Sequence, residues 1–316
     1  MKLCKKNLGI DMSYIGLFLR GFAMGVSDSV PGVSGGTIAL VTGIYARLIL
    51  ALQAFDATFF LLLLKGKLWA AWDKVDGSLL SIVGVGMAFG LIVSANGILF
   101  LLSNFFEPLM GFFIGLLLSS AWLLLLALLY QHEGVLRRLD SWLAFFCGAS
   151  VVFFTMIFPP LSIEFGMVNI LFGGFFATGA MLLPGVSGAF VLLVFGIYEA
   201  MLSAVVTGEF LTLAVFGSGC FIGLIIFSRG IGFFLKFFLT QSYSFILGML
   251  AASSIVLWPW QVSTIGSFGE LLTPWEFKLI TGNESRFWFT FVAFVVGCSI
   301  GRVLRKFSDK ELQVSY

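Results

Sequence analysis

The segment PGVSGGTIALVTGIY at residues 31–45 returns at residues 184–198 as PGVSGAFVLLVFGIY, identical at ten of fifteen positions. Each copy is set inside a long apolar run, and that placement restricts the fold more than any other feature. Proline and glycine interrupt helices, and non-helical backbone at membrane depth survives only where protein or a water-filled cavity covers it. The repeat also makes the chain two related halves, about 1–160 and 161–316. Similarity continues past each motif. Gly84–Ser120 aligns with Gly217–Ser253, with matched glycines at 97 and 230 and at 115 and 248.

Composition identifies the solvent. The chain is 59% hydrophobic and 11% charged, with 18 basic and 16 acidic side chains in 316 residues, against roughly 25% charged in soluble proteins. So few charges cannot cover a water-facing surface of this size, and the sequence predicts an all-α polytopic membrane protein. A helix needs about 20 apolar residues to cross hydrocarbon, which predicts spans at 78–103, 106–130, 141–158, 211–239, 241–258 and 287–304. Around the motifs, apolar stretches pair as 13–30 with 35–53 and 167–183 with 187–206. Each repeat therefore reads as a re-entrant helical hairpin (13–53, 167–206) with its tip at PGVSG, followed by three spans. The two repeats form one integrated membrane domain.

Positive charge orients the chain. With Lys2, Lys5 and Lys6 in the cytoplasm and hairpin one returning to its own side, the next loop places Lys65, Lys67 and Lys74 inside, as the following one does Arg137 and Arg138. Hairpin two then enters from outside between Glu164 and Glu209, and Lys236 turns inside. The 259–285 loop with Glu270, Glu276 and Glu284 lies outside, and the tail with Arg302, Arg305, Lys306 and Lys310 lies inside. Three spans between the hairpins make the second half inverted, with both termini cytoplasmic. Full crossing by the hairpins would leave the loops on the same sides, so charge does not fix hairpin depth. Trp258, Trp260, Trp275 and Trp288 read as an outer aromatic belt.

Several chemistries are excluded. One histidine, His132, cannot build a multi-His metal site, and Cys4, Cys147, Cys220 and Cys298 form no CxxC pair. No Walker or dinucleotide motif points to a cofactor, and no basic run is dense enough for nucleic acid. GVSG also fits the G-x-S-G frame of intramembrane serine nucleophiles. Such a serine needs a histidine beside it, and His132 falls at the end of a span, next to Gln131 and Glu133.

PGVSG is instead suited to an anion. Pro31 and Pro184 stop one helix; Gly32, Gly35, Gly36, Gly185 and Gly188 allow close backbone approach; and Ser34, Thr37 and Ser187 add hydroxyls where a new helix opens. In inverted repeats two such tips converge near the midplane, where transporters hold substrate. Ionisable residues in apolar runs are the other candidates. Arg20 and Asp28 precede the first motif on roughly one helix face, and Arg47 follows it, with Glu199 in the corresponding stretch of the second half. Arg47 and Glu199 are read as a salt bridge across the repeats, as a phosphate-binding arginine beside a titrating glutamate, or as both. Tyr45, Tyr198 and Arg229 are auxiliary candidates, Arg229 facing either a cavity or the headgroups.

AMGVSDSVPGVSGGTIALVTGIYARLI and its echo GAMLLPGVSGAFVLLVFGIYEAML closely resemble the bacterial polyprenyl-phosphate transporters, from about residue 15 to residue 305. The resemblance implies return of undecaprenyl phosphate from the outer to the inner leaflet of the plasma membrane for cell-envelope synthesis. It carries over to Asp28, Pro31–Thr37, Gly43–Tyr45, Pro184–Gly188 and Gly196–Glu199. Two departures stand out: Ser27 replaces the family's alanine, and Ala46 stands where relatives carry glutamate, leaving Glu199 as the better proton carrier. The implied mechanism is alternating access, with Ser34, Thr37, Ser187 and glycine N–H groups on phosphate, Arg47 neutralising it, and Asp28 or Glu199 taking a proton. The partners are a polyprenyl-phosphate lipid and the bilayer, with a homodimer left open. Two rivals stand beside this reading: an anion channel or exchanger of chloride-channel-like architecture, and a membrane lipid phosphatase, for which neither a nucleophile–base pair nor metal ligands are evident.

Overall fold

A computed structural model of the chain describes residues 14–28, 34–131, 137–157, 166–186, 188, 191–192, 195–262 and 270–312. The first half contains α1 (Tyr14–Asp28), α2 (Gly35–Val41), α3 (Tyr45–Gln53), α4 (Ala57–Leu64), α5 (Leu68–Lys74), α6 (Gly77–Asn104), α7 (Phe106–Gln131) and α8 (Leu139–Ile157). The second contains α9 (Met167–Leu182), α10 (Tyr198–Thr207), α11 (Phe210–Phe237), α12 (Leu239–Val256), a two-stranded antiparallel pair β1 (Gln261–Val262) and β2 (Glu270–Leu271), α13 (Pro274–Thr281) and α14 (Phe287–Leu312). Among the described residues, stretches in α6, α7, α11 and α12 are long and apolar enough to cross a membrane, up to five spans if α2 and α3 count as one broken span. The chain is a multi-pass membrane protein. Leu139–Phe154, Met167–Leu182 and Phe287–Val303 are apolar but shorter.

Glycine decides how the long helices meet. α1 lies along α6, and α9 along α11. A Cβ at Gly21, Gly25, Gly86 or Gly90 would strike backbone across the first pair; at Gly174, Gly219 or Gly223 it would do so across the second. Between the halves, α7 packs on α14 and α8 on α12. There Gly115 sits on the Phe294 carbonyl and Gly297 on that of Phe112, while Gly248 sits on the Phe145 carbonyl and Gly148 on that of Phe245. Small residues let backbones approach where no hydrophobic drive brings helices together in lipid. Gly84, Gly97, Gly217 and Gly230 face open space. Thus the aligned pair 115 and 248 carries contacts, and the pair 97 and 230 carries none.

α2 and α3 lie in the core. Ile38, Ile44 and Ile49 pack with Leu17, Leu79, Leu117 and Leu250, residues from four other helices of the two halves. Val186 of the second motif packs instead with Val152, Met249 and Ala252. The arm that follows the first motif is not the single stretch 35–53: α2 and α3 are bent by 118° at Thr42–Ile44. Gly43 adopts φ +77°, and the Ile44 N–H reaches back to the Ala39 carbonyl, closing the helix end in the manner of a Schellman turn. Gly196, at φ +67°, is followed by the same long bond from Ile197 to Leu192.

Two further segments differ from expectation. The loop bearing Lys65, Lys67 and Lys74 contains α4 and α5, with Asp56 capping α4 through the Phe59 N–H (2.9 Å) and pairing with Lys74 Nζ at 2.8 Å. The tryptophans do not all form a belt. Trp260 is buried with Leu272 and Phe277, because the β pair and α13 fold into a small cap whose own apolar faces need cover. Its indole N–H donates to the Ser285 carbonyl at 2.8 Å. Trp275 and Trp288 are exposed, as a belt requires.

Candidate functional site

The end of α9 leaves carbonyls with no partner inside the helix, and the starts of α2 and α3 supply donors to them. Ser34 caps α2 by accepting the Gly36 N–H at 3.2 Å, and its hydroxyl lies 3.4 Å from the Met181 carbonyl as donor. The Tyr45 hydroxyl donates to the Leu182 carbonyl at 3.0 Å. In return, the Gly185 N–H donates to Thr37 Oγ1 at 2.9 Å. These bonds join residues 137 to 148 positions apart, and Ser34 and Thr37 are each only 1% exposed. The two motif regions thus meet.

Glycine is required where they do. Gly185 adopts φ +91°, a backbone conformation costly for other residues. A Cβ on Gly36 would come within 2.8 Å of the Met181 carbonyl oxygen, and one on Gly188 would strike the Met181 side chain. The Asp28 carboxylate ties the end of α1 to the start of α2, accepting the Gly35 N–H at 2.6 Å. Ser253 of α12 holds the second motif from behind, its hydroxyl 2.8 Å from both the Gly185 and Met249 carbonyls. Its repeat counterpart, Ser120, lies 2.5 Å from the Leu116 carbonyl.

The remaining candidates are distributed more widely. Arg47 pairs with Asp76, Nε to Oδ2 at 2.7 Å, with both side chains partly exposed. Arg229 donates to the Phe55 carbonyl at 3.2 Å, and Gln53 donates to the Ser228 carbonyl at 2.9 Å, fastening the end of α3 to α11. Tyr198 is 38% exposed where its counterpart Tyr45 is 4% exposed. Arg20 is half-buried on α1. Pro31, Gly32, Ser187, His132 and the Glu199 side chain lie outside the described residues. Among the described residues no cluster of three His, Cys, Asp or Glu could hold a metal ion.

The family model described as undecaprenyl phosphate translocase-like matches residues 24–269, a span that takes in both motifs and all that lies between them. The chain belongs to this family. A Vibrio cholerae protein named polyprenyl-phosphate transporter is 31% identical over 312 residues, covering 96% of this chain and 99% of that one. A Staphylococcus aureus protein of the same name is 29% identical over 301 residues, covering 90% and 95%. No solved structure matches. The family's polyprenyl-phosphate resemblance, read above from the repeated motif, is thereby established over most of the chain. Ser253, Asp76 and Gln53 escaped notice in the sequence. Only Ser253 left a trace there, as the last residue of the second aligned block.

Proposed function

We propose that this chain carries polyprenyl phosphate across the bacterial plasma membrane, returning it from the outer to the inner leaflet, without chemistry on the lipid. What carries the reading is the contact between the two motif regions, where Ser34, Thr37 and Tyr45 of one half bond the backbone of Met181, Gly185 and Leu182 of the other. An ionised phosphate cannot enter hydrocarbon alone, since an isolated buried charge costs tens of kcal/mol in the idealised limit. Two glycine–serine tips at one place offer it several donors in protein cover.

The helix pairings support an inverted repeat: exchanging halves turns the α7–α14 contacts into the α12–α8 contacts, glycine for glycine and phenylalanine carbonyl for phenylalanine carbonyl. In this reading each motif is the tip of a re-entrant hairpin, and both termini are cytoplasmic. A phosphate oxygen takes over the Gly185 N–H from Thr37, so binding loosens the bond that joins the tips. Ser34, Thr37, Ser187 and the glycine N–H groups complete the cradle, the released Thr37 hydroxyl donating to the phosphate. Arg47 leaves Asp76 to supply the counter-charge, and Asp28 or Glu199 takes the proton that resets the carrier. The halves then rock in alternating access.

The test is translocation of a fluorescent polyprenyl phosphate in proteoliposomes. Wild-type protein is expected to move the lipid, and Thr37→Val, Ser187→Ala and Arg47→Ala are expected to slow it about tenfold or more, the loss of at least one charge-assisted hydrogen bond. Wild-type rates in all three variants would overturn the site. Chloride flux without lipid translocation would overturn the function.

A further inference from the structure

Between α3 and α6 the chain runs out and back as the short helices α4 and α5. Two nested ion pairs close the base of this excursion, Arg47 with Asp76 and Asp56 with Lys74. α4 packs chiefly on α5, and α5 on the start of α6, where the Trp72 ring lies against Gly77. Beyond the base little is covered. α4 is apolar at seven of its eight positions, yet none of its residues is buried. Residues 63–70, Leu-Leu-Lys-Gly-Lys-Leu-Trp-Ala, are all exposed, Leu64 by 84% and Trp69 by 82%.

Water is a poor solvent for such a helix, so something apolar meets it. α4 does not cross the membrane: its eight residues make about 12 Å of helix against about 30 Å of hydrocarbon. Nor does the excursion enter tip first, since the tip is Lys65-Gly66-Lys67 and lysine is costly inside lipid. It lies along the surface of the bilayer. Charge then selects what it meets there. Among the described residues neither Lys65 nor Lys67 makes an ion pair. The carboxylates of the segment stand toward the base, Asp56 held by Lys74 and Asp73 next to Lys74 in the chain. Two cations flanked by Leu64, Leu68 and Trp69 match the level where acyl chains meet lipid phosphates: lysine reaches outward on its apolar stem, and indole favours that depth. A second copy meeting this tip across a two-fold axis would set lysine against lysine.

We propose that α4 and α5 form an interfacial anchor that rests on anionic phospholipids of the bilayer, with Lys65 and Lys67 on their phosphates. On the topology proposed above, that surface is the cytoplasmic leaflet. The anchor stands apart from the transport site, and it holds whether or not the chain carries polyprenyl phosphate.

The first measurement is photo-crosslinking of the intact protein in phosphatidylcholine nanodiscs. Phosphatidylglycerol or phosphatidylcholine with a diazirine high on the acyl chain is added in trace amount, and adducts are mapped by peptide. Labelling at Leu63–Trp72, relative to the exposed face of α11, is expected to favour phosphatidylglycerol about fivefold or more, the factor for one surface lysine. Lys65→Gln/Lys67→Gln is expected to bring the two lipids to parity while melting as wild type does. Parity in the wild type overturns the proposal, as does persistence of the preference in the variant. Absence of adducts from either lipid overturns it in favour of a protein cover. Removal of the adducts by polyprenyl phosphate, but not by phosphatidylglycerol at the same concentration, overturns it in favour of a transport-path contact. The second measurement is quenching of Trp69 by brominated phosphatidylcholine, read as the difference between wild type and Trp69→Phe. Bromine high on the chain is expected to quench more than bromine deep in it. The reverse order, or no quenching, overturns the interfacial placement.

Discussion

Substituting alanine at Gly248 and at Gly230 separates contact from composition. Both glycines lie in apolar helices, and each matches a glycine of the other half. A Cβ at Gly248 would overlap the Phe145 carbonyl and press on Phe145 and Ala149 backbone, none of which can turn aside. A Cβ at Gly230 meets nothing within 4 Å. Helix propensity favours alanine over glycine by about 1 kcal/mol at either position. At Gly248 that gain is opposed: α8 and α12 must part on the order of 1 Å, forfeiting a quarter to a half of the dispersion between the facing atoms. Overpacking of this kind costs about 1–3 kcal/mol. The two variants should therefore differ by that overpacking cost, about 1–3 kcal/mol, or about 2–6 °C in unfolding midpoint at roughly 2 °C per kcal/mol. The assay is thermal unfolding in detergent followed by tryptophan emission, to which Trp142 on α8 contributes. Gly230→Ala should melt at or slightly above wild type, and Gly248→Ala below it. Midpoints within a degree of one another would show that the close approach of α8 and α12 does not carry stability, and the packing argument for Gly115, Gly148 and Gly297 would fall with it.

Thr37→Val keeps the shape of the side chain but leaves the Gly185 N–H buried without its acceptor, so stability should drop about 1–3 kcal/mol; Thr37→Ser should restore it, measured by the same melt. Arg47→Ala should change stability by less than about 1 kcal/mol, because its ion pair with Asp76 is partly exposed, while translocation falls. Equal loss of both would mark Arg47 as structural. Trp260→Ala removes the centre of the small cap, a loss of about 3–5 kcal/mol for a buried tryptophan. It should make the segment between Trp258 and Arg286 open to protease with helix content unchanged by circular dichroism. Gln53→Ala should loosen α3 from α11, seen as faster hydrogen exchange at Phe55 and Ser228.

Much of this architecture was open to reading because lipid is a strict solvent. The helices at 77–104, 106–131, 210–237 and 239–256 begin and end within about two residues of the apolar runs that announce them, since each run must satisfy its backbone internally. The motif announced itself by repetition. The break at Thr42–Ile44 did not, because Thr-Gly-Ile inside an apolar stretch is as compatible with a continuous helix as with a turn, and the Schellman bond is set by backbone geometry. Trp260 shows another limit: an aromatic near a helix end suits an interface or a small core equally, and the choice rests on Leu272 and Phe277 arriving from later in the chain. For Arg47 the sequence offers Glu199 as a partner, whereas the structure pairs it with Asp76, 29 residues on and on the far side of α4 and α5. Ser34 and Thr37 were legible as hydroxyls at a helix start; that they bond the opposite half is a fact of assembly.

The exchanged helix pairs bear on how the protein is made. α7 leaves the ribosome in the first half, yet its glycines are shaped for α14, made more than 150 residues later, and α8 waits likewise for α12. Neither half can close its own helices into a finished unit. During insertion α7 and α8 stand with unmatched faces until α14 and α12 have been made, and α14 acts as the bolt. A truncation before Phe287 would therefore do more than shorten the protein: it would leave Gly111 and Gly115 facing lipid, and quality control would meet an open seam in a chain whose motifs are both already present.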